Sequence, residues 1–280
     1  MTRSYIAMTG LSLTENLGSQ MWHFATLYSI AQRSGHRILF FQEHAGLGKG
    51  LKLHQHFTGL PFELVSIDSL SEAERVHAVY PIPRDLIVDS KVFQLDPAQN
   101  YNFTGLFASY RYWYPRRAEI AALYRFSPAV MDQAQTMLSP ARSAGLPVVA
   151  VHVRRDDYIN GLFVNVTRDY YDAAFAHFNQ MVSWLIFSDD LPWCRETFAD
   201  LDRAFYSGAP SPIVDMAAMS LCDHHIIANS SFSFWGAFLN PKVGKTMICP
   251  ARTLKHDRAI PHLNYAWHPD EFIGLDVGNV

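Results

Sequence analysis

Four apolar runs in the second half of the chain constrain the fold more than any other feature. They are PVVAVHV (147–153), WLIFSDD (184–190), HHIIANS (224–230) and TMIC (246–249). The first three start 37 and 40 residues apart, which leaves room for one crossover helix between successive strands. Continuous apolar runs are typical of parallel strands that are buried on both faces. The pattern therefore predicts a parallel sheet covered by helices.

The first half of the chain opens with a strand, a loop, a helix and a second strand. Residues 4–8 and 37–42 are short apolar runs, and between them the apolar residues of 18–35 share one helical face. A further strand is predicted within 101–107, and Ser127-Pro128 is typical of a helix start. At 280 residues, two α/β domains are expected. We place an N-terminal domain at 1–143, a C-terminal domain at 144–255, and a tail at 256–280 that packs back on the N-terminal domain.

Composition excludes several classes of protein. The net charge is −3 and the pI is near 6.5, which argues against a nucleic-acid-binding surface, because phosphates require a basic face. No apolar stretch reaches the roughly 18 to 20 residues of a membrane span, and the N-terminus is a poor signal peptide. Three cysteines match no zinc-site spacing and are expected to be reduced core residues. We therefore expect a cytoplasmic protein, which could associate peripherally with the inner face of the membrane.

Polar residues follow three of the predicted strands. His152, Arg154 and Arg155 end the first strand, where ligands of open α/β sheets bind. An arginine pair bonded to neighbouring carboxylates is an equally good interpretation of these residues alone. The second strand ends in Ser188-Asp189-Asp190, for which an ordinary helix cap is the alternative.

The third strand ends in Asn229, Ser230, Ser231 and Ser233, just before a predicted helix. Hydroxyl groups and unpaired amides at a helix N-terminus can bind an anion, although helix capping also accounts for them. Asp215 is a candidate to accept the two N–H donors of guanine, with a first-turn helix charge as the alternative. Together these strand ends predict a nucleoside diphosphate site. We predict no metal site, because His224 and His225 lie in a strand and point to opposite faces.

Six segments in a fixed order resemble the α-1,2-fucosyltransferases of the GT11 type. They are LGSQMWHFA (17–25), YNFTGLFASYRYW (101–113), HVRRDDY (152–158), YYDAAF (170–175), FSDDLPWC (187–194) and DMAAMSLCDHHIIANSSFSFWGAFLN (215–240). The resemblance implies a GT-B architecture, in which two Rossmann-like domains with parallel sheets face a central cleft. It also implies metal-independent, inverting transfer of L-fucose from GDP-β-L-fucose to a hydroxyl group, typically the 2-OH of galactose.

The resemblance also implies roles for individual residues. Arg154 is the catalytic residue and contacts the β-phosphate, His152 contacts the nucleoside, and Asp215 contacts guanine. The predicted donor-binding residues are His152, Arg154, Arg155, Asp157, Ser188, Asp189, Asp190, Asp215, Asn229, Ser230, Ser231 and Ser233. The predicted acceptor-binding residues are Gly18, Gln20, Met21 and Trp22. For the general base, Glu15, His23 and Asp157 are candidates.

Departures from the family pattern keep two alternatives open. Asp156 replaces the glycine of HVRRGDY, so a second carboxylate lies near the predicted pyrophosphate and another GDP-6-deoxyhexose could be the donor. Thr14-Glu15-Asn16 and Ser19 replace the usual GG-LGNQ loop, which leaves the acceptor glycan open. The other alternative is a non-catalytic module that binds a nucleotide sugar or a glycan.

Overall fold

The computed structural model describes residues 3–83, 87–155, 158, 159, 161, 163–255 and 267–277, with only the backbone of Thr14. The chain divides into two compact units, Met1–Arg125 and Phe126–Val280. Each unit contains a parallel β-sheet flanked by helices. The expected α/β class with two Rossmann-like domains is confirmed.

The first unit contains a five-stranded sheet in the order β3-β2-β1-β5-β4, in which every pairing is parallel. Its elements are β1 (Tyr5–Ala7), α1 (Leu11–Thr14), α2 (Leu17–Ser34), β2 (Arg37–Phe41), α3 (Gln42–Ala45), α4 (Leu53–His56), β3 (Glu63–Val65), α5 (Glu72–Arg75), β4 (Ala78–Pro81), β5 (Tyr101–Thr104) and α6 (Arg117–Leu123). Short 3₁₀ turns lie at Ile67–Ser69, Ser90–Phe93, Tyr110–Tyr112 and Tyr114–Arg116.

The helix predicted near the N-terminus is α2, the longest helix among the described residues. Its residues are mostly buried, so it packs as a central helix of this unit. Gly35 ends it with a φ of 77°, a left-handed conformation that glycine adopts without steric cost. This turn directs the chain into β2, which pairs with β1 as the β-loop-α-β pattern predicts.

The second unit contains a six-stranded sheet in the order β11-β10-β9-β6-β7-β8, again with parallel pairings. Its elements are α7 (Pro128–Arg142), β6 (Val148–Val153), α8 (Arg168–Phe175), β7 (Ser183–Ser188), α9 (Leu191–Thr197), β8 (Ala204–Tyr206), α10 (Pro212–Leu221), β9 (His224–Ile226), α11 (Ser231–Phe238), β10 (Met247–Pro250) and β11 (Ile273–Leu275). Every residue of β6 is buried, as expected for a central strand covered on both faces.

The division between the units lies closer to the N-terminus than the expected boundary at 143. Helix α7 follows the division and packs against α10 of the second unit through its apolar side, where Ala134, Leu138 and Ala141 are buried. The composition of 139–147 is rich in Pro, Ser and Gly because a helix ends there and a loop leads into β6. Within the tail expected at 256–280, β11 pairs with β10 and extends the second sheet, and packing of the tail on the N-terminal domain stays a prediction.

Candidate functional site

The predicted site residues follow strands that are neighbours in the second sheet. Strands β9, β6, β7 and β8 are adjacent in that order and run parallel. The last residue of β6, Val153, pairs with the last residue of β7, Ser188, so the two strands end level with each other. Neighbouring strands lie about 4.8 Å apart, so the turns that follow them form one edge.

Arg154 is the first residue after β6, and its side chain contacts the turn after β7 directly and the ring of Tyr158, which bonds the turn before α11. Its Nη1 lies 3.0 Å from Oδ2 of Asp189, in the turn after β7. Its guanidinium carbon lies 5.6 Å from the ring centroid of Tyr158, whose hydroxyl donates to the Asn229 carbonyl at 3.1 Å. The half-buried Arg154 is thereby positioned between the acidic turn and the turn that precedes α11.

Arg155 contacts the acidic turn after β7 through both its backbone and its side chain. Its backbone N–H donates to Oδ1 of Asp189 at 3.1 Å, and its Nε donates to Oδ2 of Asp190 at 3.0 Å. Its guanidinium lies 4.0 Å from the ring centroid of Trp193. Both arginines are therefore bonded to carboxylates of the turn after the neighbouring strand, and bonding to the carboxylates next to them in sequence stays a prediction. Asp157, predicted to bind the donor, lies outside the described residues, as does Asp156.

The turn after β7 combines capping with arginine binding. The Ser188 hydroxyl accepts the backbone N–H of Asp190 at 2.9 Å, and Asp190 caps α9 by accepting the N–H of Trp193 at 3.1 Å. Asp189 instead binds Arg154 and the Arg155 amide with its two carboxylate oxygens. The capping interpretation therefore holds for Asp190, whereas Asp189 orients the arginine turn.

The turn before α11 divides into residues that hold the loop and residues at the helix start. The Asn229 side-chain amide donates to the carbonyls of Val164 and Thr253 at 2.8 and 2.9 Å. It therefore holds the loops that contain these two residues against the turn before α11. The Ser233 hydroxyl is fully buried and donates to the carbonyl of Ser230 at 3.2 Å.

Ser230 is the N-cap of α11. Its hydroxyl oxygen accepts the N–H of Phe232 at 3.3 Å, and Ser231 is the first helical residue. A hydroxyl that accepts one bond can still donate its proton, and the helix start carries partial positive charge. Ser230 and Ser231 are therefore the residues of this turn that lie where an anion can bind.

His152 is buried in β6, next to the arginine turn. Burial and the charge of Arg154 lower its pKa to about 3, so the imidazole is neutral at physiological pH. Its ring centroid lies 5.9 Å from that of Phe232 in the first turn of α11. Among the described residues its Nδ1 has no hydrogen-bond partner. A neutral ring with an unpaired nitrogen suits hydrogen bonding to an uncharged part of a ligand.

Asp215 lies in the first turn of α10, close to the end of β8. The hydroxyl of Ser207, which directly follows β8, donates to its carboxylate. Burial raises the pKa of Asp215 to about 6, although the Ser207 hydrogen bond opposes the shift. A shift of this size in a partly exposed carboxyl group is typical of a functional site. Sequence reasoning missed Ser207, because the short strand β8 was not predicted.

The predicted acceptor-binding residues lie inside the first unit. Gly18 and Gln20 are buried in α2, and the Gln20 side chain has three backbone partners. Its Nε2 donates to the carbonyls of Glu15 and Gly50 at 2.9 and 2.8 Å, and its Oε1 accepts the N–H of Lys52 at 2.8 Å. Gln20 therefore attaches the loop before Lys52 to α2, and its acceptor role stays a prediction.

Met21 and Trp22 are also buried. The Met21 carbonyl accepts the hydroxyl of Tyr124 at 2.6 Å. The Trp22 indole donates to the Phe107 carbonyl at 2.9 Å and packs edge-on against Trp113 at 5.4 Å. These contacts belong to the core of the unit. Met21 and Trp22 can therefore affect acceptor binding only indirectly, by positioning the loops that pack on them.

Of the candidate general bases, His23 is fully buried in α2. Burial lowers its pKa to about 4, against a smaller opposite effect of Glu15. A base with so low a pKa is weak, which disfavours His23 as the general base. Glu15 is partly exposed, directly before α2.

Within the described part of the chain, no three His, Cys, Asp or Glu side chains converge as metal ligands. His224 accepts the Thr246 N–H at 3.0 Å, and His225 lies 2.9 Å from the amide nitrogen of Asn240. The two histidines thus have separate partners, as the alternation of a strand predicts.

The geometry agrees with comparisons to known proteins. The family model described as "Glycosyl transferase family 11" matches residues 1–260. The chain belongs to glycosyl transferase family 11. Galactoside 2-alpha-L-fucosyltransferase Sec1 of Mus musculus is 28% identical over 240 residues, which are 80% of this chain and 62% of that relative. An alpha-1,2-colitosyltransferase of Escherichia coli is 27% identical over 263 residues, 81% of this chain and 86% of that relative.

Solved structures share the fold of this family 11 protein. A structure of the fucosyltransferase NodZ from Bradyrhizobium aligns with a TM-score of 0.59 at 14% identity, covering 84% of this chain and 92% of that chain. NodZ alpha-1,6-fucosyltransferase soaked with GDP-fucose aligns with a TM-score of 0.57 at 15% identity, covering 85% and 93%. These neighbours support the GT-B architecture. Within the described residues, no helix has the length and hydropathy that a bilayer span requires.

Proposed function

We propose that this family 11 protein transfers L-fucose from GDP-β-L-fucose to the 2-hydroxyl group of a terminal galactose, with inversion at the anomeric carbon. The name of the mouse relative and the GDP-fucose-soaked NodZ structure support this reaction. The chain matches 62% of the length of that mouse relative, so the proposal depends mainly on the chemistry of the site.

The proposed reaction depends most on the position of Arg154. Its guanidinium lies at the carboxyl edge of the second sheet, bonded to Asp189 and stacked near Tyr158, which reaches the Asn229 turn. Arginine presents five N–H donors in a planar fork that matches the oxygens of a diphosphate. The 3.0 Å contact of Nη1 with Asp189 orients this fork at the edge of the sheet.

Each group at this edge has a role in the reaction. The acceptor oxygen forms a bond to the anomeric carbon, the bond to the diphosphate oxygen breaks, and GDP leaves with the electron pair. Arg154 and the N-terminus of α11 stabilise the charge that develops on the leaving group. A general base takes the proton of the acceptor hydroxyl group. Asp215 accepts the N–H donors of guanine, and His152 contacts the nucleoside.

We propose that the reaction needs no metal ion. A guanidinium and helix-end amides can replace a divalent cation at a leaving diphosphate, since both supply positive charge at fixed positions. Transfer in excess chelator should equal transfer without it. Loss of activity in chelator, restored by a divalent cation, would contradict this proposal.

A second donor is favoured by one comparison. The E. coli colitosyltransferase is matched over 86% of its length, and its name indicates transfer of a sugar other than fucose. Asp156, where the family pattern has glycine, is the sequence feature that agrees with a different donor. Another GDP-6-deoxyhexose is therefore the alternative donor.

We also propose a reducing, cytoplasmic location, at the inner face of the membrane when the acceptor is membrane-bound. The three cysteines, Cys194, Cys222 and Cys249, are buried and unpaired. Burial raises the pKa of Cys194 to about 11, which keeps its thiol protonated. Unpaired structural thiols are typical of a reducing compartment.

The decisive experiment incubates the purified protein with GDP-fucose and terminal galactosides, and then determines the linkage of the product. We expect an α-1,2-linked fucoside. Parallel reactions with other GDP-6-deoxyhexoses test the alternative donor, and transfer from one of these without transfer from GDP-fucose would overturn the main proposal. Binding of GDP without any glycoside product would indicate a non-catalytic module.

A further inference from the structure

Tyr158 contacts both of the groups that are proposed to stabilise the leaving diphosphate. Its ring centroid lies 5.6 Å from the guanidinium carbon of Arg154, and its hydroxyl donates to the Asn229 carbonyl at 3.1 Å. Asn229 directly precedes Ser230, the N-cap of α11. Tyr158 itself is buried. One buried side chain therefore connects the arginine after β6 with the turn that leads into the N-terminus of α11.

The ring of Tyr158 is also fixed by a loop that Asn229 holds. It stacks on the ring of Phe163, with the two centroids 4.9 Å apart and the planes inclined by 22°. Phe163 forms an isolated β-bridge with Leu254, and the carbonyl of the next residue, Val164, accepts the Asn229 side-chain amide at 2.8 Å. The ring and the hydroxyl of Tyr158 therefore both contact parts of the chain that Asn229 joins.

An aromatic ring suits the position beside Arg154 better than another acidic group would. The face of a ring attracts a guanidinium without neutralising its charge. Asp189 already binds Arg154, and a further carboxylate there would repel a diphosphate. The backbone N–H of Tyr158 donates to the Arg155 carbonyl at 2.9 Å, and this turn keeps the ring near Arg154. Tyr158 therefore orients the guanidinium and leaves its positive charge in place.

Stabilisation of a leaving diphosphate requires positive groups at fixed positions. The charge grows only as the bond to the sugar breaks, and groups that are already in place stabilise it without reorganisation. Arg154 follows β6, whereas the N-terminus of α11 follows β9. The spacing between these two groups is therefore a matter of tertiary contacts, and the contacts of Tyr158 bridge that spacing.

From these contacts we infer that Tyr158 is a positioning residue, which holds the Arg154 guanidinium and the N-terminus of α11 at the spacing that a diphosphate requires. The ring orients Arg154, and the hydroxyl holds the turn before α11. Tyr158 acts through these two groups rather than by touching the substrate. The inference rests on the proposed function, since it takes the diphosphate of a GDP-sugar to bind between them.

Affinities for GDP and GMP test this role, because the two ligands differ by the β-phosphate alone. Calorimetry on the full chain measures both. Tyr158→Phe keeps the ring and removes the hydroxyl, and it should weaken GDP binding about threefold. Tyr158→Leu removes both contacts and should weaken GDP binding about thirtyfold. The affinity for GMP should stay within about twofold of wild type in both variants.

The kinetics of fucose transfer give a second readout. Because the charge on the diphosphate is larger in the transition state than in bound GDP-fucose, the variants should lower kcat more than they raise KM for GDP-fucose. We expect kcat to fall about fivefold in Tyr158→Phe and about fiftyfold in Tyr158→Leu. In an Arg154→Ala background, Tyr158→Leu should lower kcat by no more than about fivefold, since its main target is already gone.

Tyr170→Phe is the matched control. Tyr170 is buried in the same unit, and its hydroxyl donates to the Ile227 carbonyl at 2.6 Å, in the segment between β9 and α11. Its ring packs edge-on against Tyr171. The control therefore loses a bond of the same kind to the same segment, and it should keep the wild-type ratio of GDP to GMP affinity. Thermal unfolding of each variant shows whether it is folded, and Tyr158→Phe tests the hydroxyl contact even if Tyr158→Leu does not fold.

Several results would overturn the inference. A wild-type ratio of GDP to GMP affinity in folded Tyr158→Leu, or in Tyr158→Phe if only that variant folds, would show that Arg154 is oriented without Tyr158. Equal losses of affinity for GDP and GMP, or the same change of ratio in Tyr170→Phe, would make Tyr158 a structural residue only. A wild-type protein that does not bind GDP would remove the site itself. If the ratio falls as expected but no acceptor is fucosylated, the proposed function fails while the positioning role in nucleotide binding stands.

Discussion

Arg154 is the residue on which the proposed chemistry depends most. A charge-stabilising contact to a leaving group supplies about 3–4 kcal/mol, so Arg154→Ala should lower kcat/KM about a hundred- to a thousandfold. Arg154→Lys should recover part of this loss, because lysine keeps the charge without the planar fork. Steady-state kinetics with GDP-fucose measure both variants. A fall of less than about threefold in Arg154→Ala would exclude the role of Arg154 as the main stabiliser of the leaving group.

Asp189 provides the control for that prediction. Because it binds both Arg154 and the Arg155 amide, Asp189→Ala should lower kcat by misplacing the guanidinium. In an Arg154→Ala background the same change should have a much smaller effect, since residues that act through one contact are not additive. Full additivity in this double-mutant cycle would show that Asp189 acts independently of Arg154.

Asp215 should make nucleotide binding depend on pH. Its pKa is raised to about 6, so the carboxyl group gains a proton as the pH falls below that value and then accepts guanine donors poorly. GDP-sugar affinity should therefore fall about tenfold between pH 7 and pH 5. The ligand is a GDP-sugar because it lacks the terminal phosphate that titrates near pH 6 in GDP.

Asp215→Asn is the matched variant for this measurement. It should bind the GDP-sugar more weakly, and its affinity should change little between pH 7 and pH 5. His152 does not interfere, because its pKa of about 3 keeps it neutral over this range. Identical pH profiles for the two proteins would assign the titration to another group.

At the scale of elements, the contact between α10 and α11 depends on Gly236. A Cβ atom at this position would lie 2.7 Å from the Cβ of Met219, so the two helices approach closely there. Gly236→Ala should destabilise the protein by about 1–3 kcal/mol through overpacking, seen as a lower midpoint of thermal unfolding. Gly208→Ala is the control, since nothing lies within 4 Å of a Cβ atom at Gly208. Equal thermal unfolding midpoints for the two variants would show that α10 and α11 accommodate the added methyl group without loss of stability.

Elements differ in how well the sequence predicts them. The predicted strands β1, β2, β5, β6, β7, β9 and β10 all lie inside their sheets. The strands that were not predicted, β3, β4, β8 and β11, are the edges of the two sheets. An edge strand is only partly buried, so it lacks the continuous apolar run of an interior strand.

The candidate site shows the same division between what a sequence can and cannot predict. Strand order places Arg154, Asp189 and Ser230 on one edge, and that edge was predictable because parallel strands end together. Their partners were not predictable, since Trp193 under Arg155 and Ser207 beside Asp215 depend on packing between elements distant in sequence. Gln20 was predicted to bind the acceptor, and the bonds of its side-chain amide that the structure describes are internal, so that role stays a prediction.

At the scale of the whole molecule, the two units have separate sheets and separate sets of predicted ligands. The predicted donor-binding residues that the structure describes all lie in Phe126–Val280, whereas the predicted acceptor-binding residues lie in Met1–Arg125. Because α7 packs on α10, the donor unit begins with that helix, and a division placed at 143 would remove part of its core. Experiments on the donor unit should therefore keep residues from 126 onward.

Donor binding should accordingly protect one unit more than the other. A ligand that binds only the folded state stabilises it by about 2.7 kcal/mol at a hundred times its dissociation constant, and this gain appears where opening breaks the site. Hydrogen exchange with GDP should therefore slow most in the turns after β6 and β7 and in the first turn of α11. Peptides from α2 and the loop after α3 should change little. If GDP instead slowed exchange mainly in the first unit, the nucleotide site would lie there and the roles assigned to the two sheets would be wrong.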